Sequence, residues 1–362
     1  AGSGEIGSAT NTEKFDILTG GELKFTAAKA KAASKSGINL NGGKITVVAA
    51  ATDAAIEGKL NVNNGTVDVA EDGVLTVSGL TTVNSGTVTV SGAESKKGTL
   101  TLNGGLTQNG GKIDLKAAKT GGILNVSGDT LVTDGEFSIG SGAVAKFQGN
   151  AEFAKDKLTV ANGAKIQLGD DLQNGATRTL KVDSSDIKDM LATAEAISGS
   201  GAAGSKFVLQ LTDADVIDLS SAGSKLVKDK DGAVSDGIKI NTATLVIKGD
   251  KAKFHAKELL TGATNYDFNT LAVGSGASAT EQTFKLDGKS VLTVRNALTA
   301  KDNGALKTLT IADGTLNLVA TDGVTGTVKA DAIVLNNDAS NLGVDGGVWN
   351  VKDLTLTSGN AT

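Results

Sequence analysis

Residues 61–92 read NVNNGTVDVAEDGVLTVSGLTTVNSGTVTVSG. One phrase repeats within them: a glycine, a small residue, then an aliphatic, a polar residue and another aliphatic. Gly65-Thr-Val-Asp-Val, Gly73-Val-Leu-Thr-Val and Gly86-Thr-Val-Thr-Val are three copies. Alternation of apolar and polar side chains is the period of a strand with one face buried and one solvated. The glycines, with Asn63-Asn64 and Asn84-Ser85 before them, accept the left-handed backbone angles of a sharp corner. The stretch therefore predicts short strands joined at corners.

The phrase extends in both directions. It recurs at Gly43-Lys-Ile-Thr-Val, Gly58-Lys-Leu-Asn-Val, Gly98-Thr-Leu-Thr-Leu, Gly111-Lys-Ile-Asp-Leu, Gly122-Ile-Leu-Asn-Val and Gly135-Glu-Phe-Ser-Ile. Looser copies run from Lys157-Leu-Thr-Val to Gly314-Thr-Leu-Asn-Leu, Gly347-Val-Trp-Asn-Val and Leu354-Thr-Leu. Two architectures accommodate many short strands with frequent glycine turns: an antiparallel sandwich built of hairpins, or a coil of stacked parallel rungs. One phrase in nearly every strand implies equivalent positions stacked on one another. The expectation is an all-β, right-handed parallel β-solenoid with short strands and glycine corners, of about twenty residues per rung. Stacking sets like side chains above one another, so the repeated Thr and Asn are expected to form ladders.

Composition narrows the core. The 362 residues include 48 glycines and no proline, where average usage predicts roughly 18 prolines. Proline removes a ladder hydrogen bond, so a chain that is mostly ladder excludes it. Only 3% of the residues are aromatic, which points to a slender core filled by stacked aliphatics rather than a thick globular one. Net charge is −5 with no basic block, and phosphate binding needs clustered Lys and Arg, so nucleic acid is excluded as a partner. Absence of cysteine excludes disulfides, thiolate metal sites and cysteine nucleophiles. No run approaches the apolar length of a membrane span. The chain begins at Ala1 without an initiator Met or a signal-like stretch, as a processed chain or a fragment would.

Three regions are expected: an N-terminal solenoid over 1–170, an embellished β-rich region over 171–300, and C-terminal solenoid rungs over 301–362. Within the middle, a helix is expected near 185–197. Its apolar face is Ile187, Met190, Leu191, Ala194 and Ile197, a Ser or Asp caps it, and Gly199 stops it. Lys206-Phe-Val-Leu-Gln-Leu reads as a buried strand and 219–237 as a polar loop. Lys24–Lys35, rich in Ala and Lys, reads as a short helix or a decorated loop.

Chemistry-bearing residues are sparse. His255 is the only histidine, so neither a triad nor a His-based metal site is readily built, and it reads as a surface or strand residue beside Phe254. Asp213, Asp215 and Asp218 form an acidic cluster. In an extended segment Asp213 and Asp215 share a face that suits a hard cation or an acid/base pair, although a solvated turn is the plainer reading. Asp229 and Asp231, in Lys228-Asp-Lys-Asp-Gly232, have a partial likeness to a calcium loop but lack its spaced third carboxylate and terminal Glu. A polar hairpin tip is the alternative. These five aspartates are the candidate calcium ligands.

The phrases Asn84-Ser-Gly-Thr-Val-Thr-Val and Leu102-Asn-Gly-Gly-Leu resemble the repeats of bacterial surface β-solenoids: autotransporter passengers, filamentous adhesins and surface-layer proteins. The resemblance covers roughly 40–170 and 300–362. A pI near 5.1, little sulfur and abundant Thr, Ala and Gly are similar to surface-layer proteins in particular. The resemblance implies export to the bacterial cell surface and a structural role, with calcium at subunit contacts. Solenoids expose unpaired strand edges at their ends, and the repeat phrasing here runs almost to the last residue, so either more chain follows in the parent protein or neighbouring subunits cover that edge; homo-oligomers or two-dimensional arrays are expected. The expected function is a non-enzymatic, self-assembling subunit of a surface layer or filament. The alternative is an adhesin passenger whose 171–300 region binds host or glycan ligands. A glycan-cleaving solenoid enzyme using Asp213 and Asp215 is the third class.

Overall fold

The computed structural model describes residues 5–8, 15–93, 95–115, 121–183 and 196–212. Beyond these it describes a series of strands from Val216–Asp218 to Val348–Ala361. Among the described residues, strands pair in parallel everywhere except at one small hairpin, where Gly92–Ala93 runs antiparallel to Lys96–Lys97. The chain is a parallel β-solenoid, not a sandwich. It divides into two compact units, one of residues 1–171 and 178–200, the other of residues 172–177 and 201–362.

A single rung of the first unit shows why the sequence coils. Leu60–Val69 is one strand bent at its middle, so Leu60–Val62 lies on a first face and Thr66–Val69 on a second. After a turn, Val74–Val77 forms the third face. Each face then stacks in register. Leu60 pairs with Thr81, Thr81 with Leu106 and Leu106 with Thr130. Val67 pairs with Val88, Val88 with Ile113 and Ile113 with Phe137. Leu75 pairs with Leu100, Leu100 with Leu124 and Leu124 with Ala145.

The alternating pattern sends every second residue inward. Val62, Val67, Val69, Leu75 and Val77 are completely buried within that one rung. Each such side chain contributes about 1.5–3 kcal/mol of burial, and successive rungs repeat the contribution. Polar side chains also enter the core: Thr81 and Thr130 are buried in the first-face column, and Gln108 stands between Val83 and Val132 and is fully buried. Gln108 Nε2 donates to the carbonyls of Glu136, at 3.1 Å, and Gly111, at 3.3 Å, which tie one corner to the next.

The three corners are built differently. Between the first and second faces the chain repeats Asn-x-Gly, at Asn41-Gly42-Gly43, Asn63-Asn64-Gly65, Asn84-Ser85-Gly86 and Asn109-Gly110-Gly111. Gly111 has φ of +68°, and a Cβ there would lie 2.5 Å from the Gly86 carbonyl oxygen of the neighbouring rung. The corner between the third and first faces is a second glycine column through Gly79, Gly104 and Gly128. Between the second and third faces sits a four-residue turn, closed by Gly73 N–H to Ala70 O at 3.0 Å and by Ala143 N–H to Gly140 O at 3.0 Å.

The rung is slightly longer than expected and varies. Stacked asparagines of the first corner are separated by 22, 21 and 25 residues. The longest step contains the Gly92–Lys97 hairpin, an insertion at the turn between the second and third faces. Insertions there leave the register of all three faces intact, because a loop outside the ladder adds little closure entropy.

Two expectations are corrected. Lys24–Lys35 is not a helix: it completes the strand Glu22–Phe25, turns over 26–30 and forms the strand Lys31–Ser34, with Ala32 and Ala33 buried. Packing in a narrow core overrides the helical propensity of Ala and Lys. Ile197, expected to close a helix, opens the strand Ile197–Ser200 and pairs with Ile166. Residues 184–195, the rest of that expected helix, lie outside the described residues, as does the expected loop 219–237.

The second unit repeats the same three-ladder plan. Leu209 pairs with Ile247, Ile247 with Tyr266, Tyr266 with Leu292, Leu292 with Leu316 and Leu316 with Leu342. A second ladder runs Phe254, Leu271, Leu298, Val328, Trp349. A third runs Phe284, Leu309, Ile333, Leu354. Leu316, Leu298 and Leu309, one from each ladder, are fully buried, so these ladders also enclose a core.

Candidate functional surface

Of the expected calcium ligands, Asp213, Asp215, Asp229 and Asp231 lie outside the described residues. Asp218 ends the strand Val216–Asp218 and its backbone stands opposite His255 in the neighbouring strand Thr244–Ala256. Among the described residues no three His, Cys, Asp or Glu side chains come together in a way that would hold a metal ion. Nor is any helix among them long and apolar enough to cross a membrane.

The organised polar feature is instead the outside of the first face. Strand alternation that sends Leu60 and Val62 inward sends Asn61 and Asn63 outward. Stacking then aligns the outward residues of successive rungs. Asn63 Nδ2 donates to Asn41 Oδ1 at 2.9 Å, Asn84 Nδ2 to Asn63 Oδ1 at 2.9 Å, and Asn109 Nδ2 to Asn84 Oδ1 at 2.9 Å. Thr133 Oγ1 continues the column by donating to Asn109 Oδ1 at 3.3 Å. A shorter parallel column runs from Asn61 Nδ2 to Asn39 Oδ1 at 2.8 Å and from Asn39 Nδ2 to Asp16 Oδ1 at 2.7 Å. The expected Asn and Thr ladders are present. Their sequence signal is the Asn standing two positions before each corner glycine.

An asparagine amide offers two N–H groups and two carbonyl lone pairs. In Asn63 and Asn84 one donor and one acceptor are spent along the column. One of each is left to face outward, at the strand spacing of about 4.8 Å. From Asn39 to Thr133 the outward residues named on this face carry no charge. The surface is an uncharged strip of fixed donors and acceptors with a regular repeat.

The second face is charged, and its ions pair both between rungs and within one. Lys44 Nζ lies 3.6 Å from Asp68 Oδ2, and Lys112 Nζ lies 3.0 Å from Glu136 Oε1 and 3.4 Å from Asp114 Oδ2. The Lys112 ammonium is held above its ordinary 10.5 first by the Glu136 hydrogen bond, against the opposing effect of burial, and then by Asp114. Elsewhere, Lys181 pairs with Glu152. Half-buried Arg178 donates Nη1–H to the Leu168 carbonyl at 2.6 Å. Burial pushes its guanidinium down, and Asp171 and Asp170 oppose that shift. Exposed pairs of this kind contribute little individually and serve mainly to hold adjacent rungs in register.

One of these pairs makes acid sensitivity testable. Asp134 Oδ1 lies 2.6 Å from Lys157 Nζ, and its carboxyl is held below 3.8 first by that lysine and then by the Gly135 backbone N–H. A depressed carboxyl stabilises the fold above its unfolded value and loses that contribution as pH falls through the lower folded value. The parent and Asp134→Asn are therefore expected to differ in urea midpoint above pH 3.8, the difference closing as pH falls below it. A difference that persists unchanged in acid would remove the Lys157 pair as its cause.

Nothing on this surface pairs a nucleophile with a base or gathers metal ligands, so what it can do chemically is make repeated hydrogen bonds. Comparison with family models, with curated proteins and with solved structures returns no match to the chain.

Proposed function

We propose that the chain is a non-enzymatic extracellular structural protein, a self-assembling subunit of a bacterial surface layer or filament. The observation that carries the reading is the outward asparagine ladder, stacked in register on the parallel core of the first unit. Such a surface offers another molecule the same donor and acceptor at each rung, which suits repetitive contact rather than recognition of a single small ligand. Homo-oligomers or two-dimensional arrays are the partners that follow, with a cell-surface glycan as a further contact for the same amides. Calcium at subunit contacts, through Asp213, Asp215, Asp218, Asp229 and Asp231, belongs to this proposal.

Negative-stain electron microscopy of the purified chain, in millimolar calcium and again with chelator, tests it. Sheets or filaments are the expected result. Their loss on chelation assigns calcium to the contacts, and their persistence removes calcium while keeping assembly. Separate rods under both conditions would overturn the subunit reading in favour of an adhesin that binds its ligand through 171–300.

A further inference from the structure

Four of the five Asn-Gly steps of the first unit, Asn162-Gly163 aside, fall into two kinds. Asn41-Gly42 and Asn109-Gly110 have their amides locked along the stacking direction: Asn41 Oδ1 accepts from Asn63, and Asn109 bonds to both Asn84 and Thr133. Asn103-Gly104 is held by Ser127, whose Oγ donates to Asn103 Oδ1 at 3.4 Å. Asn64-Gly65 differs. Asn64 is exposed, stands beside the column rather than in it, and its side chain bonds to the next residue's backbone. Gly65 N–H donates to Asn64 Oδ1 at 2.9 Å.

That contact folds the Asn64 carboxamide back onto the Gly65 backbone nitrogen instead of along the column, one rotation about Cβ–Cγ from presenting Cγ to that nitrogen. Reacting atoms held near van der Waals contact react far faster than freely rotating ones. Gly65 has no Cβ to obstruct the approach. We propose that Asn64 is a site of spontaneous, self-catalysed modification in the folded protein, converting to aspartyl and isoaspartyl forms while the ladder asparagines are protected.

The steps balance with water alone. A solvent base removes the Gly65 amide proton, and the nitrogen attacks Asn64 Cγ. The Cγ–Nδ2 bond breaks, and Nδ2 leaves as ammonia after taking a proton from water, which closes a five-membered imide. Water then opens the ring on either side. Cleavage of the new Cγ–N bond leaves an ordinary aspartyl residue, and cleavage of the original peptide C–N bond leaves the isoaspartyl link. No electrons change hands. The isoaspartyl product lengthens the backbone by one carbon at a corner where Gly65 already packs against the Gly43 backbone. The reaction therefore alters the rung as well as its charge, and it does so whether or not the chain assembles.

The test is peptide mass spectrometry on the intact folded chain, incubated warm at mildly alkaline pH and sampled over time. Conversion at Asn64 is expected to run at least about tenfold faster than at Asn41, Asn103 or Asn109. In urea the four steps should converge, because unfolding removes both the close approach and the ladder. Asn84→Ala takes away an amide partner of Asn109 and is expected to accelerate conversion at Asn109-Gly110. Equal rates at all four asparagines in the folded chain, or an unconverted Asn64, would overturn the proposal. So would an unchanged rate at Asn109 in a folded Asn84→Ala variant, since the ladder would then give no protection.

Discussion

Phe137→Ala is expected to lower the unfolding free energy by about 3–5 kcal/mol. Three phenylalanines meet inside one turn of the solenoid, and each comes from a different face. Phe137 lies on the second face, Phe147 on the third and Phe153 on the first. The ring of Phe137 stands 5.2 Å from that of Phe153 at 76° and 6.4 Å from that of Phe147 at 47°. Phe147 and Phe153 are 5.8 Å apart at 72°. These are edge-to-face and tilted arrangements, in which the positive edge of one ring meets the negative face of another.

All three rings are buried, and the space they need comes from alanine. Ala145 stands in the column where the adjacent rungs carry Leu124 and Ile166, and Ala151 in the column where they carry Thr130 and Leu180; both are buried as well. Removing one ring leaves a cavity that the rungs above and below cannot close, since ladder hydrogen bonds fix their spacing on every face. Urea unfolding measures the effect as a lowered midpoint at unchanged slope. A loss below about 1.5 kcal/mol would mean that the turn collapses around the gap.

The second large effect is at a corner. Gly111→Val is expected to cost on the order of 4 kcal/mol or to prevent folding. Two independent penalties combine there. The residue has φ of +68°, which a β-branched side chain adopts only with strain. Its new Cβ would also lie 2.5 Å from the Gly86 carbonyl oxygen and 3.0 Å from the Gly86 nitrogen. Both are backbone atoms of a paired rung, so neither can turn aside as a side chain would.

Gly20 separates the two penalties. Its φ is +83°, but a Cβ there would meet nothing within 4 Å. Gly20→Ala should therefore cost only the left-handed strain, about 1–2 kcal/mol, and Gly111→Ala distinctly more. Equal losses in the two alanine variants would show that rung-on-rung contact adds nothing to the conformational strain.

These cases mark how far the residues speak for themselves. Val67, Val69, Leu75 and Val77 declare a buried strand face by alternation alone, and Gly65 and Gly86 declare corners by chirality. Alternation and corner chemistry are local properties, so the parallel solenoid, its narrow aliphatic core and the existence of polar ladders were legible from residues 61–92 outward. The strand at Lys31–Ser34 was not legible, because Ala and Lys favour a helix in isolation and only the neighbouring rungs supply the groups that make them a strand.

The candidate surface was legible in kind but not in place. Asn two positions before a corner glycine recurs plainly, yet spacings of 22, 21 and 25 residues hide which asparagine stands above which. Stacking sorts Asn63 and Asn84 into a column and leaves Asn64, next door in the chain, outside it. The same holds for Phe137, Phe147 and Phe153. Nothing in their spacing announces one cluster, since three different faces must close into a coil before the rings can meet. Residue types alone set the period and the conformation each residue favours in its own backbone. Neighbours across rungs and faces emerge with the folded coil, because they depend on register, and register is set by the whole stack of ladder hydrogen bonds rather than by any one segment.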